Sequence, residues 1–126
     1  MLDVEVIGAS DLPEEALRKL VAIALASADV DDGHVAVQFV DADRIAELNT
    51  EHRGVEGPTD VLSFPVDLDG VAVGERELGD VVICASYTED LAEAVVHGTL
   101  HLVGMDHETD HGEMLALQAE ILSWVK

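Results

Sequence analysis

Residues 81–107 read VVICASYTEDLAEAVVHGTLHLVGMDH. Val81-Val82-Ile83-Cys84 is a nearly continuous apolar run, the pattern of a strand buried on both faces and therefore central in its sheet. Thr88 can then cap a helix through Ala92, Val95, Val96, Leu100 and Leu102, with Gly104 placed to end it. A buried strand followed directly by an apolar helix calls for helices packed on a sheet, and the flanking sequence extends that pattern in both directions.

Upstream, Leu2, Val4 and Val6 alternate with Asp3 and Glu5 as a short strand. Asp11 stands before Pro13, Glu14 and Glu15, a helix-start signature with acids in the first turn. Leu17, Leu20, Val21, Ala24, Leu25 and Ala28 then keep helical spacing as far as Asp29. Asp31-Asp32-Gly33 makes a turn, and Val35, Val37 and Phe39 alternate as a second strand. Asp41 or Asp43 caps a short helix whose Ile45, Ala46 and Leu48 face inward. A loop rich in Gly and charge, His52 to Pro58, leads to a third strand, Val61-Leu62-Ser63-Phe64, stopped by Pro65. Between Val66 and Glu77 the pattern permits either a tight Asp69-Gly70 hairpin or a mobile loop. Downstream, Glu113 to Val125 reads as a last amphipathic helix anchored by Met114, Leu117, Ile121, Leu122 and Trp124. The order β-α-β-α-β-β-α-α predicts an α+β fold in which a small, mixed, four-stranded sheet is packed with helices, as a single domain over residues 1–126.

The length of 126 residues suits one core, and 48% hydrophobic with 26% charged residues is an ordinary globular balance. The sign of the charge is not ordinary. Six Lys and Arg stand against 27 Asp and Glu, a net charge of −21 at pH 7. Phosphate backbones are held mainly by Lys and Arg, so this composition argues against a broad nucleic-acid-binding surface, and equally against an anionic membrane. The single cysteine, Cys84, allows no internal disulfide and sits among Val and Ile as an expected buried, inert thiol. Asp3 and Glu5 occupy the place where a signal peptide carries basic residues, and no run approaches 18 apolar residues. A soluble cytoplasmic protein is the expectation.

The chemistry concentrates in HGTLHLVGMDH, residues 97–107. His97 and His101 are four apart on the predicted helix, so both imidazoles leave one face, one turn apart. Gly104 can end that helix in a left-handed conformation and let the chain return His107 to the same point. Three neutral nitrogen ligands would leave a tetrahedral Zn²⁺ one open position, the catalytic pattern, and would lower the pKa of its water to roughly 7. Unconnected core or surface histidines are the plain alternative, but three of the six histidines fall within these eleven residues. His111, four beyond His107, is either a substitute ligand or a solvated histidine at a helix start. The offsets match those of HExxHxxGxxH peptidases, yet those enzymes need Glu directly after the first His as general base, and this chain has Gly98 there.

HGTLHLVGMDH resembles the histidine signature of the YbeY family, metal-dependent endoribonucleases of bacterial ribosomal RNA maturation. Two further blocks agree with that family in order. One is Leu48-Asn49, His52-Arg53-Gly54 and Pro58-Thr59-Asp60-Val61-Leu62-Ser63-Phe64-Pro65; the other is Leu78-Gly79-Asp80-Val81-Val82-Ile83-Cys84. The blocks cover about half the chain.

The resemblance implies that His97, His101 and His107 bind one Zn²⁺ per chain. It also implies that Arg53 is the catalytic arginine near the scissile phosphate, and a guanidinium suits that task because it clamps phosphate oxygens. A surface arginine paired with one of the many acids is the alternative for Arg53. The implied activity is single-strand-specific endoribonuclease cleavage in 16S ribosomal RNA 3′-end maturation and ribosome quality control. The implied partners are ribosomal RNA and the small ribosomal subunit with its proteins, with no DNA and no membrane. A non-catalytic, metal-stabilised ribosome-assembly factor and a zinc hydrolase of peptide or amide bonds are the alternatives. Asp106 and Glu108 could orient ligating histidines or cap the turn, and Glu93, one turn before His97, could act as a base or be a solvated acid. Thr59 or Ser63 could line the cleft.

In one respect the chain departs from the family. Only the twelve residues Ala85 to Val96 separate Cys84 from His97, where the family usually has roughly a helix more. The charge of −21 is compatible with RNA if binding is local, through Zn²⁺, Arg53 and His52, while the remaining surface repels RNA or faces a basic ribosomal protein; a salt-adapted source, where screening removes long-range repulsion, is the other explanation.

Overall fold

Strand β4 (Glu77–Ile83) is covered on both sides because its apolar residues do not alternate: Val81, Val82 and Ile83 are all buried. The computed structural model describes residues 2–8, 12–28, 30, 33–65, 77–103 and 112–124. Along the chain run β1 (Leu2–Ile7), α1 (Glu14–Ala26), β2 (Gly33–Phe39), α2 (Ala42–Arg53), β3 (Val61–Pro65), β4, a short 3₁₀ turn (Ala85–Tyr87), α3 (Leu91–Leu102) and α4 (Glu113–Trp124). This is the order expected from the apolar periodicity. The sheet is mixed, with spatial order β1-β2-β4-β3: β1, β2 and β4 are parallel, and β3 pairs antiparallel with β4 from Val61↔Ile83 to Pro65↔Gly79.

Alternation along the strands splits the interior in two. Val35, Val37, Val81 and Ile83 point to one face, where they meet Leu17, Leu25, Val95, Leu100, Met114 and Ile121 from α1, α3 and α4. Leu62, Val82 and Cys84 point to the other face and meet Ile45 and Leu48 of α2. Cys84 is fully buried, as expected for an inert thiol.

Helix starts follow local chemistry more closely than the sequence reading anticipated. Asp41 caps α2, its Oδ1 accepting from the Arg44 N–H at 2.8 Å. Thr88 does not cap α3. Its hydroxyl donates back to the Cys84 carbonyl at 2.7 Å, closing the 3₁₀ turn, and Asp90 caps instead by accepting from the Glu93 N–H. At α1 the N-cap position is Pro13, with no side-chain cap, while Asp11 lies outside the described residues. The Asp69-Gly70 region, Gly104 and the turn after α3 also lie outside them.

Helix α3 reaches the sheet at one glycine. A Cβ on Gly98 would stand 2.5 Å from Val81 Cγ1, closer than carbon atoms pack, and a tight 3.1 Å from Val61 Cγ2. The Ser63 hydroxyl donates to the Gly98 carbonyl at 2.8 Å, tying the edge strand to the helix at the same spot. Val81 is fully buried and has no room to retreat. Gly98→Ala is therefore expected to destabilise the fold by about 1–3 kcal/mol from overpacking, partly offset by about 1 kcal/mol of helix propensity. Thermal unfolding followed by circular dichroism should show a lowered Tm, and Val81→Ala in the same chain should recover part of it. A Tm for Gly98→Ala at or above that of the parent would show that the helix does not sit this close.

Candidate active site

The capped, glycine-seated helix α3 fixes where its two histidines point. His97 and His101, four residues apart, bring their Nε2 atoms to 3.1 Å, with ring centroids 4.7 Å apart and planes at 78°. Two imidazole nitrogens on a single tetrahedral cation with bonds of about 2.0–2.1 Å would be roughly 3.3 Å apart. The observed spacing fits that donor geometry. It also fits a direct N–H···N contact, and the second nitrogen of His97 bears on the choice. Nδ1 of His97 lies 2.8 Å from Oε1 of Gln118 on α4. An amide oxygen only accepts, so this contact favours a proton on Nδ1 and makes Nε2, the nitrogen that faces His101, the acceptor, the arrangement usual behind metal-binding histidines. Among the described residues no group of three His, Cys, Asp or Glu side chains is gathered on one point, and His107 lies outside them.

Beside the pair is a cavity of about 410 Å³ at the end of the sheet where the parallel strands finish. His97 and Gln118 line it, together with Asp60 at the start of β3 and Asp90 and Glu93 at the start of α3. Glu93 thus shares a cavity with His97, as its position one helical turn earlier suggested. Asp60 is held in place from both sides: its backbone carbonyl accepts from the Cys84 N–H at 2.9 Å, and its Oδ1 accepts from the Val61 N–H. Ser63 and Thr59 do not line the cavity; Ser63 holds α3, and the Thr59 hydroxyl donates to Asp60.

Arg53 closes α2, in the last turn before Gly54, which adopts a left-handed conformation at φ 68° and ends the helix. Its side chain is exposed. Arg18 is paired with Glu14 and Arg44 with Glu47, whereas Arg53 makes no ion pair among the described residues. Nor does Arg53 share the cavity with His97. Its helix covers the opposite face of the sheet from α3, and His52 beside it packs edge-on against Phe64 of β3 at 4.7 Å. Arg53 and the histidine pair therefore belong to separate layers.

Gln118 did not stand out in the sequence, although a signal was there. It occupies a core-facing position of α4 between buried Met114 and buried Ile121, and is itself only 7% exposed. A polar side chain in an apolar stripe needs a buried partner, and that partner is His97. Asp106, Glu108 and His111 lie outside the described residues.

The sequence profile of the family described as Endoribonuclease YbeY matches residues 6–126. The endoribonuclease YbeY of Corynebacterium efficiens is 38% identical over 139 aligned positions, covering 92% of this chain and 70% of that protein. Those of Cellvibrio japonicus and Geobacillus thermodenitrificans are also 38% identical, covering 97% and 86% of this chain and 77% and 84% of their own. A Thermotoga maritima protein solved in solution superposes with a TM-score of 0.59 at 27% identity, over 97% of this chain and 88% of that one. The 139 aligned positions exceed the 126 residues present, so at least 13 positions of the Corynebacterium protein have no counterpart here.

The Gln118 contact makes a prediction that needs no ligand. Long-range ¹H–¹⁵N spectra of the histidine rings should show His97 as the Nδ1–H tautomer, and Gln118→Leu should shift it toward a mixture. A His97 ring protonated on Nε2 in the parent chain would overturn the assignment.

Proposed function

The chain belongs to the YbeY family of endoribonucleases, and on that premise we propose that it hydrolyses phosphodiester bonds of single-stranded RNA with one Zn²⁺ per chain. Its task on this reading is 16S ribosomal RNA 3′-end maturation and ribosome quality control in the cytoplasm, with the small ribosomal subunit and its proteins as partners. No helix among the described residues is long and apolar enough to cross a membrane.

The observation that carries the reading is the convergence of His97 and His101 Nε2 at 3.1 Å, with the far nitrogen of His97 lying 2.8 Å from the Gln118 amide oxygen. These two nitrogens and the imidazole of His107 would hold the ion. Zinc in such a site supplies a Lewis acid and brings the pKa of its water to roughly 7. The chain's own residues supply the rest. Gln118 keeps the His97 ring turned and its tautomer set. Of the four acids on the same cavity, Glu93 is the one a helical turn before His97 and would take a proton from the attacking water, an effect worth roughly 10²–10⁴-fold in rate. Arg53, which makes no ion pair among the described residues, binds a phosphate oxygen and offsets charge as the phosphorus becomes five-coordinate. Because Arg53 and the histidines sit on opposite layers, the RNA would run past the β3 edge to reach both.

A peptidase reading is weakened by Gly98. The position that carries the base in HExxH enzymes faces Val81 and Val61 here, and no carboxylate fits.

Elemental analysis of the purified protein should give about one zinc per chain. On a 16S ribosomal RNA precursor, His101→Ala should lose nearly all cleavage, and Arg53→Ala should lose about 10²–10³-fold, the usual effect of removing one charge-stabilising donor. Equal rates in all three proteins would identify a contaminating nuclease and remove the enzyme reading.

A further inference from the structure

Four large hydrophobic side chains are conspicuously exposed among the described residues, and the two most exposed, Tyr87 at 55% and Leu115 at 47%, line the cavity that holds His97. They come from separate elements, Tyr87 from the 3₁₀ turn after β4 and Leu115 from the first turns of α4. Neither serves the core. Tyr87 is the chain's single tyrosine, in a sequence only 3% aromatic. Apolar surface left open to water in a concave site beside catalytic groups generally marks where a ligand's apolar face is received.

We propose that this cavity is a nucleobase slot: one base of a single-stranded RNA packs against the Tyr87 ring and the Leu115 side chain, next to the phosphate to be cut. The proposal rests on the ribonuclease reading above and adds to it the part of the substrate that the cavity takes. Size favours it. At about 410 Å³ the cavity is near the lower end of small-ligand sites, of order 300–1,000 Å³, enough for one nucleoside and far too small for a duplex. A base enters such a slot only when unstacked, which selects single strands.

Charge says which end of the nucleotide goes in. Asp60, Glu89 and Asp90 line the same cavity, and their carboxylates repel phosphate. They accept hydrogen bonds instead, and cytosine and adenine each present an exocyclic amino donor where uracil and guanine present a carbonyl oxygen. The slot thus takes the uncharged base and prefers one that bears an amino group. Stacking on Tyr87 supplies the affinity, and the carboxylates supply the choice.

The zinc-loaded protein is tested by fluorescence anisotropy with a labelled, phosphorothioate-linked pentacytidylate, and by steady-state cleavage of a short RNA with a mapped cut site. Tyr87→Ala should weaken pentacytidylate binding about tenfold or more and raise KM to match with kcat little changed, while Tyr87→Phe should behave as the parent. Pentauridylate should bind the parent more weakly than pentacytidylate. An RNA with an abasic nucleotide beside the cut should erase the difference between the parent and Tyr87→Ala. Equal pentacytidylate binding by parent and Tyr87→Ala overturns the slot whatever the cleavage data say. Tyr87-dependent binding with His101→Ala cleaving as fast as the parent supports the slot and overturns the nuclease reading, so the two fail separately.

Discussion

The contact between α3 and the sheet at Gly98 governs the rest of the molecule. With 3.6 residues per turn, successive side chains are about 100° apart, so turning position 98 onto Val81 sets every other direction on the helix. His97 then points about 100° to one side, and His101, three residues further on, about 60° to that same side. Both leave the sheet toward α4, where Gln118 waits. Glu93 falls on that side as well, which is why it shares the cavity. A helix held off by a methyl group would keep its sequence but lose this aim, and Ser63 guards the seat by bonding the Gly98 carbonyl.

The sheet both assembles and separates the parts of the site. Parallel β2 and β4 end together, and β3 begins where they end, so Asp60, the 3₁₀ turn and the start of α3 share one rim. The backbone bond from Cys84 to Asp60 closes that rim. Arg53 is different, because its helix packs on Leu62, Val82 and Cys84, the face away from α3. One edge strand lies between Arg53 and the imidazoles. That separation suits an extended, flexible substrate better than a compact one.

Much of the fold was legible because apolar spacing survives in the sequence. All eight principal elements follow it, and the unbroken Val81-Val82-Ile83 run marks the strand flanked on both sides. The α3 start was misassigned because Thr88 and Asp90 are both capping residues two positions apart, and the tight turn out of β4 consumes the Thr88 hydroxyl. Of the candidate site, the His97–His101 pair was readable from helical spacing alone. Gln118 was not singled out, since its meaning depends on a contact 21 residues away in sequence. The layer separating Arg53 from the pair was not readable either, because it depends on which face of the sheet each helix covers.

The pairing of arginines has a consequence for how ionic strength acts. Arg18 and Arg44 are paired with acids of their own helices, so on the proposed reading Arg53 is the described arginine left to displace a counterion from RNA. One such contact gives a slope of only about −0.7 in log K against log salt for a single strand. The net charge of −21 works in the opposite sense, because screening relieves its repulsion of the RNA. Most nucleic-acid-binding proteins let go as salt rises. If the proposed reading holds and Arg53 carries the phosphate contact, binding here would be nearly indifferent to salt, or strengthened by it.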